Sequence, residues 1–262
     1  ACAASQRAPP ASDQARSAAC VRWSAGANLW VVKPAALNRG RGVRVLRGDA
    51  AVLRAAVGET ESDSFGTPLA TDRWVVQKYL ERPLLVAGRK FDVRVYAVVR
   101  GDWTAWVCRE GLLRVCSEPF TLGSESSFCH VANTVQNASN PSFAAAVGEV
   151  NAAGCACDSQ LHVSLASFAA WLDGERGEGA FASSVWPQFR RLAGLSLGAA
   201  RAAGRMRRPP GHDCFELLGY DFILDEDMRA VLVEVNTNPS VIFGGSEVLE
   251  GMLPGVFDAL LE

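Results

Sequence analysis

The sequence of 262 residues is poor in lysine, in histidine and in long apolar runs. Of its 26 basic residues only three are lysines, Lys33, Lys78 and Lys90. No apolar stretch approaches the roughly 20 residues that a membrane-spanning helix needs, so we expect no membrane partner. A formal net charge of -2 argues against a globally basic nucleic-acid binder. Because arginine supplies most of the positive charge, each lysine indicates a position that needs a compact ammonium group.

Paired metal-binding cysteines and covalent-catalysis motifs are missing as well. The 8 cysteines are scattered, and the only close pair, Cys155 and Cys157, has one residue between them instead of the wider gap of zinc sites. We interpret them as reduced, mostly buried thiols of a cytosolic protein. The serines, Ser64 and Ser117 among them, lack a nucleophile-elbow context, which argues against covalent serine catalysis.

The composition of the chain changes along its length. Residues 1–24 are rich in Ala, Ser and Pro, without an initiator Met or an apolar signal core. We expect this part to be disordered or a truncated linker, and the chain to be a fragment. A variable segment with helical patterns lies further along the chain, at 140–211. An apolar content of 49% and a charged content of 21% suit a globular protein.

The apolar pattern predicts antiparallel strands with intervening helices. A Gly-Asp turn at 101–102 between two apolar stretches indicates a β-hairpin. This combination predicts an α+β (mixed α/β) fold with flanking helices. We predict strands at 29–35, 73–80, 90–100, 103–110, 214–224 and 229–236, and helices at 49–58, 165–172 and 183–204.

The last strand carries a carboxylate and an amide among valines and leucines. Because side chains alternate, Glu234 and Asn236 should share a water-poor face with Leu232, while the valines between them pack on the other face. Pairing with the preceding strand brings Asp221 onto the same patch. Three oxygen ligands are what Mg²⁺ prefers, so we predict a metal site. The alternative is a solvent-facing polar edge, which the apolar surroundings disfavour.

A second group of residues has the properties of an anion site. Lys33 ends a strand just before a loop in which Gly40 and Gly42 would let backbone N–H groups approach a phosphate. The order of these residues excludes a P-loop and a protein kinase. In the following strand, Gln77 and Lys78 can address the polar edge of adenine, while backbone groups beyond them and apolar residues complete the pocket.

Charged residues also alternate along the predicted hairpin. Lys90, Asp92 and Arg94 share one strand face, and Arg109 follows on the paired strand. A cationic cluster beside a Mg–phosphate site would bind an anionic acceptor and the charge that develops on it. The alternative is a salt-bridged, exposed face.

The segment that contains His130 and Asn133 leaves two interpretations open. A histidine here can be a hydrogen-bonded structural residue or a catalytic one.

Taken in order, these pieces resemble the tubulin–tyrosine ligase-like family, which are ATP-grasp amino-acid ligases. The resemblance covers roughly residues 30–240 and rests on the segments "WVVKPAALNRGRGV", "WVVQKYLERPLLVAGRKFDVRVY", "REGLLRVCSEPF", "HVAN" and "CFELLGYDFILDED…VLVEVNTNPS". It implies an ATP-grasp fold with the nucleotide between two lobes, of which 25–82 would be an incomplete central lobe and 83–262 the C-terminal lobe. On this resemblance, we expect the N-terminal lobe of the family to be missing from the fragment.

The resemblance also implies a reaction. An acceptor carboxylate, most simply on the acidic tail of tubulin, would be phosphorylated by ATP to an acyl phosphate, which the amine of free glutamate, glycine or tyrosine then attacks. The enzyme would be a monomer in the cytoplasm, on microtubules and in cilia. Taken together, the residue patterns and the resemblance give as candidates, for the nucleotide, Lys33, Arg39, Gly40, Gly42, Gln77, Lys78, Tyr79, Leu80, Lys90 and Asp221; for Mg²⁺, Asp221, Glu234 and Asn236; and for catalysis, Arg94, Arg109, Asp92, Asn133 and His130.

Two other functions remain open at this stage. One is an ATP-grasp ligase that acts on a different carboxylate. The other is a non-catalytic module that binds a nucleotide or tubulin, which is favoured by Ala132, where the family usually has a small polar residue. A basic stretch could meet an acidic tail or be a solvated helix face; it comprises Arg190, Arg191, Arg201, Arg205, Arg207 and Arg208.

Overall fold

The computed structural model describes residues 26–35, 37, 39–48, 73–204, 214–241, 246–248, 250–251 and 254. The predicted N-terminal linker, the predicted helix at 49–58 and the arginines of the basic stretch beyond residue 204 lie outside the described residues.

Within the described residues the chain forms nine strands and four α-helices, as the sequence pattern broadly predicts. A 3₁₀ turn at Ser127–Cys129 and a π-helical turn at Phe181–Val185 accompany them. The strands are β1 Leu29–Pro34, β2 Arg44–Arg47, β3 Trp74–Lys78, β4 Leu85–Val86, β5 Arg89–Arg100, β6 Ala105–Val115, β7 His162–Ser164, β8 Phe215–Leu224 and β9 Ala230–Asn236; the helices are α1 Thr134–Asn137, α2 Phe143–Ala152, α3 Leu165–Arg176 and α4 Trp186–Ala202.

The strands form two antiparallel sheets. The smaller has the order β2-β1-β3, and the larger has the order β7-β6-β5-β8-β9, with the short β4 paired to β5. The mixed α/β class with antiparallel sheets and flanking helices is therefore confirmed. The predicted boundary at 82/83 falls between β3 and β4, and the division into two lobes stays a prediction.

The hairpin of β5 and β6 is confirmed, but its second strand is longer than predicted. β6 continues to Val115, because the apolar residues after Gly111 pair with the first half of β5. The pairing register shifts between Val95 and Ala97, where β6 accommodates extra residues. β7 was missed by the sequence analysis, since it has only three residues inside a segment interpreted as helical.

Helices cover one face of the larger sheet, and charged residues occupy the other. Alternate residues of β5, including Val93 and Val95, point into the main core with Phe168 of α3 and Phe189 of α4. The ring of Phe189 stacks on Phe222 with centroids 4.5 Å apart. Burying such a ring contributes about 2 to 3 kcal/mol. The helices thereby fix the sheet from behind and leave its opposite face available for a site.

β9 departs from the strict alternation that its sequence predicts. Asp221 pairs with Glu234. The next pair is Phe222 with Leu232, which leaves Val233 as an extra residue in a β-bulge. Leu232 consequently packs against the core, while Val233 faces the cavity with Glu234. The prediction that Leu232 shares a face with Glu234 is wrong, because the bulge reverses the alternation.

In the part of the chain that the structure describes, every helix is too short or too polar to cross a bilayer.

Candidate active site

A cavity of about 970 Å³ lies between the two sheets. Its size suits a nucleotide-sized ligand. The smaller sheet, the glycine loop at 39–42 and the segment at 130–135 enclose it on one side, and the uncovered face of the larger sheet forms its floor.

Charged side chains lie in two neighbouring rows across that floor. Cross-strand partners in a sheet are about 5 Å apart, so each row is a continuous line of contacts. One row joins the imidazole of His162 to Arg114 and Asp92 across β7, β6 and β5; the next joins Arg94, Asp221 and Glu234 across β5, β8 and β9.

Two arginines and two aspartates interlock at the centre of the floor. Arg94 donates to Asp221 through Nε at 2.5 Å and Nη2 at 3.0 Å. Arg114 donates to Asp92 through Nε at 2.6 Å and Nη2 at 2.8 Å, and its Nη2 also lies 3.0 Å from Asp221 Oδ2. Although burial alone would raise it, the charges of Arg114 and Arg94 hold the pKa of Asp221 below its usual range. Asp221 therefore stays ionised at the centre of the cavity.

Arg114 occupies the position for which the sequence analysis selected Arg109. Arg109 is exposed and lies outside the cavity lining, so the predicted cluster of Lys90, Arg94 and Arg109 is corrected. The alternation of the hairpin contained the signal: residues of β6 that share a face with Asp92 and Arg94 are even-numbered, and 114 is even.

Lys90 is a buried ammonium group that faces the cavity. Among the described residues its hydrogen-bond partners are two neutral oxygens, the carbonyl of His130 at 2.8 Å and the hydroxyl of Tyr79 at 3.2 Å. Burial lowers its pKa, which Cys116 and Asp92 partly oppose. A buried cation without a carboxylate in its hydrogen bonds favours an anionic ligand.

His130 supports this wall of the cavity. Its Nδ1 lies 2.8 Å from the Tyr79 hydroxyl and its Nε2 lies 2.9 Å from the carbonyl oxygen of Ser124. A carbonyl can only accept, so Nε2 carries the proton and Nδ1 accepts from Tyr79. Both ring nitrogens are thus committed, which favours the structural interpretation of His130.

The residues predicted to bind adenine line the cavity together. Gln77, Lys78, Tyr79 and Leu80 follow one another at the end of β3. The ammonium of Lys78 is 2.6 Å from Glu81 Oε1 and 2.8 Å from a backbone carbonyl of β1. The sequence analysis missed Glu81, which is buried and also accepts from two backbone N–H groups at 27 and 29.

The glycine loop packs directly against the segment that contains Asn133. Arg39, Gly40 and Gly42 all have positive φ angles, of 59°, 71° and 68°. A Cβ atom at Gly40 would lie 2.8 Å from Gln136 Oε1 and 3.2 Å from Asn133 Cβ. Asn133 itself caps α1, since its Oδ1 accepts from the N–H groups of Val135 and Gln136. Position 40 therefore requires glycine, because its φ angle is positive and an added Cβ would meet Gln136 and Asn133.

Replacing Gly40 by Ala should raise the KM for the nucleotide that the sequence analysis predicts, ATP, about 10-fold, because a left-handed alanine costs about 1 to 2 kcal/mol and its Cβ displaces the loop. Gly88→Ala is the matched control: Gly88 has a φ of 69° but nothing within 4 Å of an added Cβ. Steady-state kinetics of both variants at varied ATP separate the effect of backbone strain at a positive φ angle from the effect of the contact between the glycine loop and the segment at 133–136. Equal KM values in the two variants would contradict the proposed loop contact.

The three oxygen-bearing residues at the edge of the sheet lie together. Asn236 Nδ2 is 3.3 Å from Asp221 Oδ2, and Asp221 pairs with Glu234 across the strands. The Glu234 side chain is 45% exposed and accepts from Lys33 Nζ at 2.9 Å. The prediction of a water-poor surface is thus wrong for Glu234, because β9 is the edge strand of this sheet.

The chemistry of this group fits Mg²⁺. Two carboxylates and one amide are hard oxygen donors, and their lone pairs outnumber the hydrogen bonds they accept here. Among the described residues no group of three or more His, Cys, Asp or Glu side chains could hold a metal ion, and the predicted set has two carboxylates with an amide as its third donor.

His162 lines the cavity at the other end of the floor and was missed by the sequence analysis. Its ring lies 2.7 Å from the hydroxyls of both Thr134 and Ser246. Burial lowers the pKa of His162 to about 4, with the charge of Asp158 opposing this and that of Arg114 adding to it. The imidazole is therefore neutral at neutral pH.

Stability should fall on mild acidification because of His162. Its ordinary pKa is 6.5 and its folded value is lower, so the unfolded chain binds more protons between these values and the contribution is lost as pH falls. The loss is about 2 kcal/mol between about pH 7.5 and about pH 5. Urea denaturation of the wild type and of His162→Gln at both pH values isolates it; parallel pH dependences would contradict this assignment.

The chain is similar to one family model and to several curated proteins. A family model described as "Tubulin-tyrosine ligase family" matches residues 4–262 of the chain. Similar curated proteins include Tubulin monoglycylase TTLL3 of Danio rerio, 31% identical over 218 residues; Tubulin glycylase 3B of Tetrahymena thermophila, 28% over 222 residues; and Probable tubulin polyglutamylase TTLL2 of Homo sapiens, 29% over 217 residues.

These alignments cover most of this chain but a minor part of each relative. They include 82%, 84% and 82% of the chain, in the same order. The chain spans 26%, 17% and 32% of the lengths of those relatives.

Proposed function

The chain belongs to the tubulin-tyrosine ligase family, and from this membership we propose that it forms the core of an ATP- and Mg²⁺-dependent ligase. The ligase joins an amino acid to a carboxylate of a protein, and the proposed acceptor is the acidic C-terminal tail of tubulin. The names of the similar proteins, two glycylases and a polyglutamylase, support tubulin as the substrate and glycine or glutamate as the amino acid ahead of tyrosine. Such a reaction would take place on microtubules in the cytoplasm.

The single observation that carries the proposal is the meeting of the two sheets over the cavity. Lys33, at the end of β1, reaches Glu234 of β9 with its Nζ 2.9 Å from Oε2. This ion pair brings together Lys33, the cation that we assign to the phosphates, and one of the residues that we assign to the metal. A nucleotide bound between the sheets would exchange this pair for contacts with its phosphates and their cation.

The wall beyond this pair supplies the remaining nucleotide contacts. Lys90 faces the cavity with neutral hydrogen-bond partners. A bound phosphate would therefore stabilise its positive charge more than that of a lysine that is already paired with a carboxylate. Gln77 and Lys78 border the same space from β3, and we assign the backbone at Tyr79 and Leu80, which also line the cavity, to the adenine edge. We assign Asp221, Glu234 and Asn236 to Mg²⁺, which would polarise the phosphoryl group that ATP transfers.

Arg94 and Arg114 are the groups that would stabilise the reacting anions. Both guanidinium groups are held rigidly by carboxylates, so they need no reorganisation when charge develops on the acceptor. The carboxylates of Asp92 and Asp221 offset the electrostatic repulsion between the two guanidinium groups. The acceptor carboxylate would lie against this cluster while it is phosphorylated and while the amine attacks the acyl phosphate.

Mass spectrometry of tubulin tests the proposal. The full-length protein is incubated with tubulin, Mg–ATP and glycine, L-glutamate or L-tyrosine in separate reactions, and the tail peptides are then analysed. We expect added residues on glutamate side chains of the tail with at least one amino acid, and none on tubulin whose tails have been removed by protease.

Two outcomes would redirect the assignment. Addition to a different protein with intact tubulin unmodified would replace the acceptor and keep the ligase chemistry. Tight ATP binding without any amino-acid product would support a non-catalytic nucleotide- or tubulin-binding module, the function that Ala132 in the cavity wall favours.

A further inference from the structure

A chain of hydrogen bonds runs from the cavity into the interior at the end of the floor opposite Glu234. It joins Thr134 of α1, His162 of β7, Ser246 of the C-terminal segment and Asp158 of the turn before β7. Thr134 Oγ1 lies 2.7 Å from His162 Nε2, His162 Nδ1 lies 2.7 Å from Ser246 Oγ, and Ser246 Oγ lies 2.7 Å from Asp158 Oδ2. His162 and Ser246 are each only 1% exposed.

The direction of every proton in this chain follows from its inner end. Asp158 is the acceptor at this end, because its carboxylate oxygens receive the hydroxyl of Ser246 and the backbone N–H of His162 at 3.0 Å. The single proton of Ser246 is thereby used. Its oxygen must accept from His162, so Nδ1 carries the imidazole proton.

The outer end of the chain is set by the same logic. With Nδ1 protonated and the ring neutral, His162 Nε2 can only accept, and Thr134 donates its hydroxyl proton to it. The oxygen of Thr134 then presents lone pairs alone to the cavity. A hydroxyl normally both donates and accepts, but this one has been made into an acceptor.

We propose that Thr134 is the specificity contact for the ammonium group of the incoming amino acid, with His162, Ser246 and Asp158 as the positioning residues that orient it. This inference rests on the proposed function and deepens it. An acceptor oxygen attracts an N–H donor and disfavours a phosphate or carboxylate, which the arginines of the floor attract instead.

The position of Thr134 fits a nucleophile that approaches from the side away from ATP. His162 is the direct cross-strand neighbour of Arg114. Arg114 contacts Asp92 and Asp221, at the place proposed for the activated carboxyl group. An amine held at Thr134 would thus lie one strand from that carboxyl group, while Lys33 and Glu234 hold the other end of the cavity.

A proton-relay role for the same chain is disfavoured. Removal of a proton from the amine through Thr134 would place a positive charge on His162, whose pKa is lowered because its burial and the cation Arg114 together outweigh the carboxylate of Asp158, 3.8 Å from Nδ1. The chain therefore orients a hydroxyl instead of storing a proton.

Equilibrium binding tests the inference without requiring turnover. The full-length protein is loaded with Mg²⁺ and a non-hydrolysable ATP analogue, and glycine and L-glutamate are titrated by calorimetry. For whichever of the two binds, Thr134→Val, which keeps the shape and removes the hydroxyl, should weaken Kd about 10- to 100-fold, the range for a hydrogen bond to a charged group. Thr134→Ser is the matched control and should stay within about 3-fold of the wild type.

Two further arms identify the contact. Trimethylglycine has no N–H group, so its affinity should be the same for the wild type and for Thr134→Val. Ser246→Ala removes the acceptor that fixes the imidazole tautomer, and we expect it to weaken amino-acid binding by several-fold while nucleotide affinity is unchanged.

The outcomes separate this inference from the proposed function. Thr134-dependent binding without ligation would support the inference and count against the ligase. Ligation by the wild type together with equal amino-acid Kd values for the wild type and Thr134→Val would overturn the inference alone. Failure of the wild type to bind either amino acid, or loss of binding in Thr134→Ser equal to that in Thr134→Val, would also overturn it.

Discussion

Replacement of Arg114 by Met should reduce ligation about 1,000-fold, because the variant loses a preorganised cation at the centre of the floor. The methionine side chain fills part of the space but cannot donate to Asp92 or Asp221. Loss of one partner from a buried ion pair leaves the other charge uncompensated, which costs about 3 kcal/mol or more. The Tm of the protein should accordingly fall by about 6 to 12 °C.

Arg109→Met is the matched control for this prediction. Arg109 is on the same strand but is exposed and lies outside the cavity lining. Its loss should leave ligation and Tm close to the wild-type values, since surface substitutions usually change stability by less than about 0.5 kcal/mol. Measurements of kcat/KM and thermal unfolding on both variants decide between the two arginines. A greater loss of ligation in Arg109→Met than in Arg114→Met would refute the assignment made from the structure.

Replacement of Glu234 by Gln should reduce ligation about 100-fold or more at ordinary Mg²⁺ concentrations. The amide keeps the size of the side chain but removes the negative charge that we assign to the metal and its phosphates. Stability should change little, because the carboxylate is 45% exposed and its pair with Lys33 is a surface pair that contributes at most about 1 kcal/mol. The variant therefore separates the role of the charge from a role in folding.

The Mg²⁺ dependence of the rate provides the sharper measurement. If Glu234 binds the metal, higher Mg²⁺ should restore part of the activity of Glu234→Gln. Glu110→Gln is the control, because Glu110 is an exposed carboxylate on β6 outside the cavity. Normal ligation by Glu234→Gln at ordinary Mg²⁺ would exclude a metal role for this residue.

These two predictions differ in where their information came from. Glu234 was selected from the sequence, since a carboxylate and an amide two residues apart on an apolar strand need a partner. Arg114 was not, although it is only five residues from Arg109. Both arginines lie in β6, but the strand predicted from the sequence ended at 110 and therefore included only Arg109.

The alternation of side chains determined much of the floor in advance. Lys90, Asp92 and Arg94 were predicted to share one face of β5, and all three line the cavity. The mixed α/β class and the β5–β6 hairpin likewise follow from local patterns of apolar residues and turns. Such patterns are local because a strand exposes alternate residues whatever its neighbours are.

Other features depend on chain segments that are distant in sequence. The bulge at Val233 changed the face of Leu232, and the edge position of β9 exposed Glu234. His162 entered the cavity on a strand of three residues that no periodicity could reveal. The local sequence specifies which face a side chain takes on an ideal strand, and only strand pairing decides where that ideal breaks.

The sequence by itself determined the kinds of groups in this protein: a few ammonium groups, a carboxylate–amide strand and an alternating charged hairpin. The tertiary structure alone decided which of them meet. Lys33 and Glu234 are 201 residues apart in the chain yet 2.9 Å apart in space. Contacts of this length depend on the packing of two sheets against each other, because no local preference of the backbone encodes the distance between their side chains.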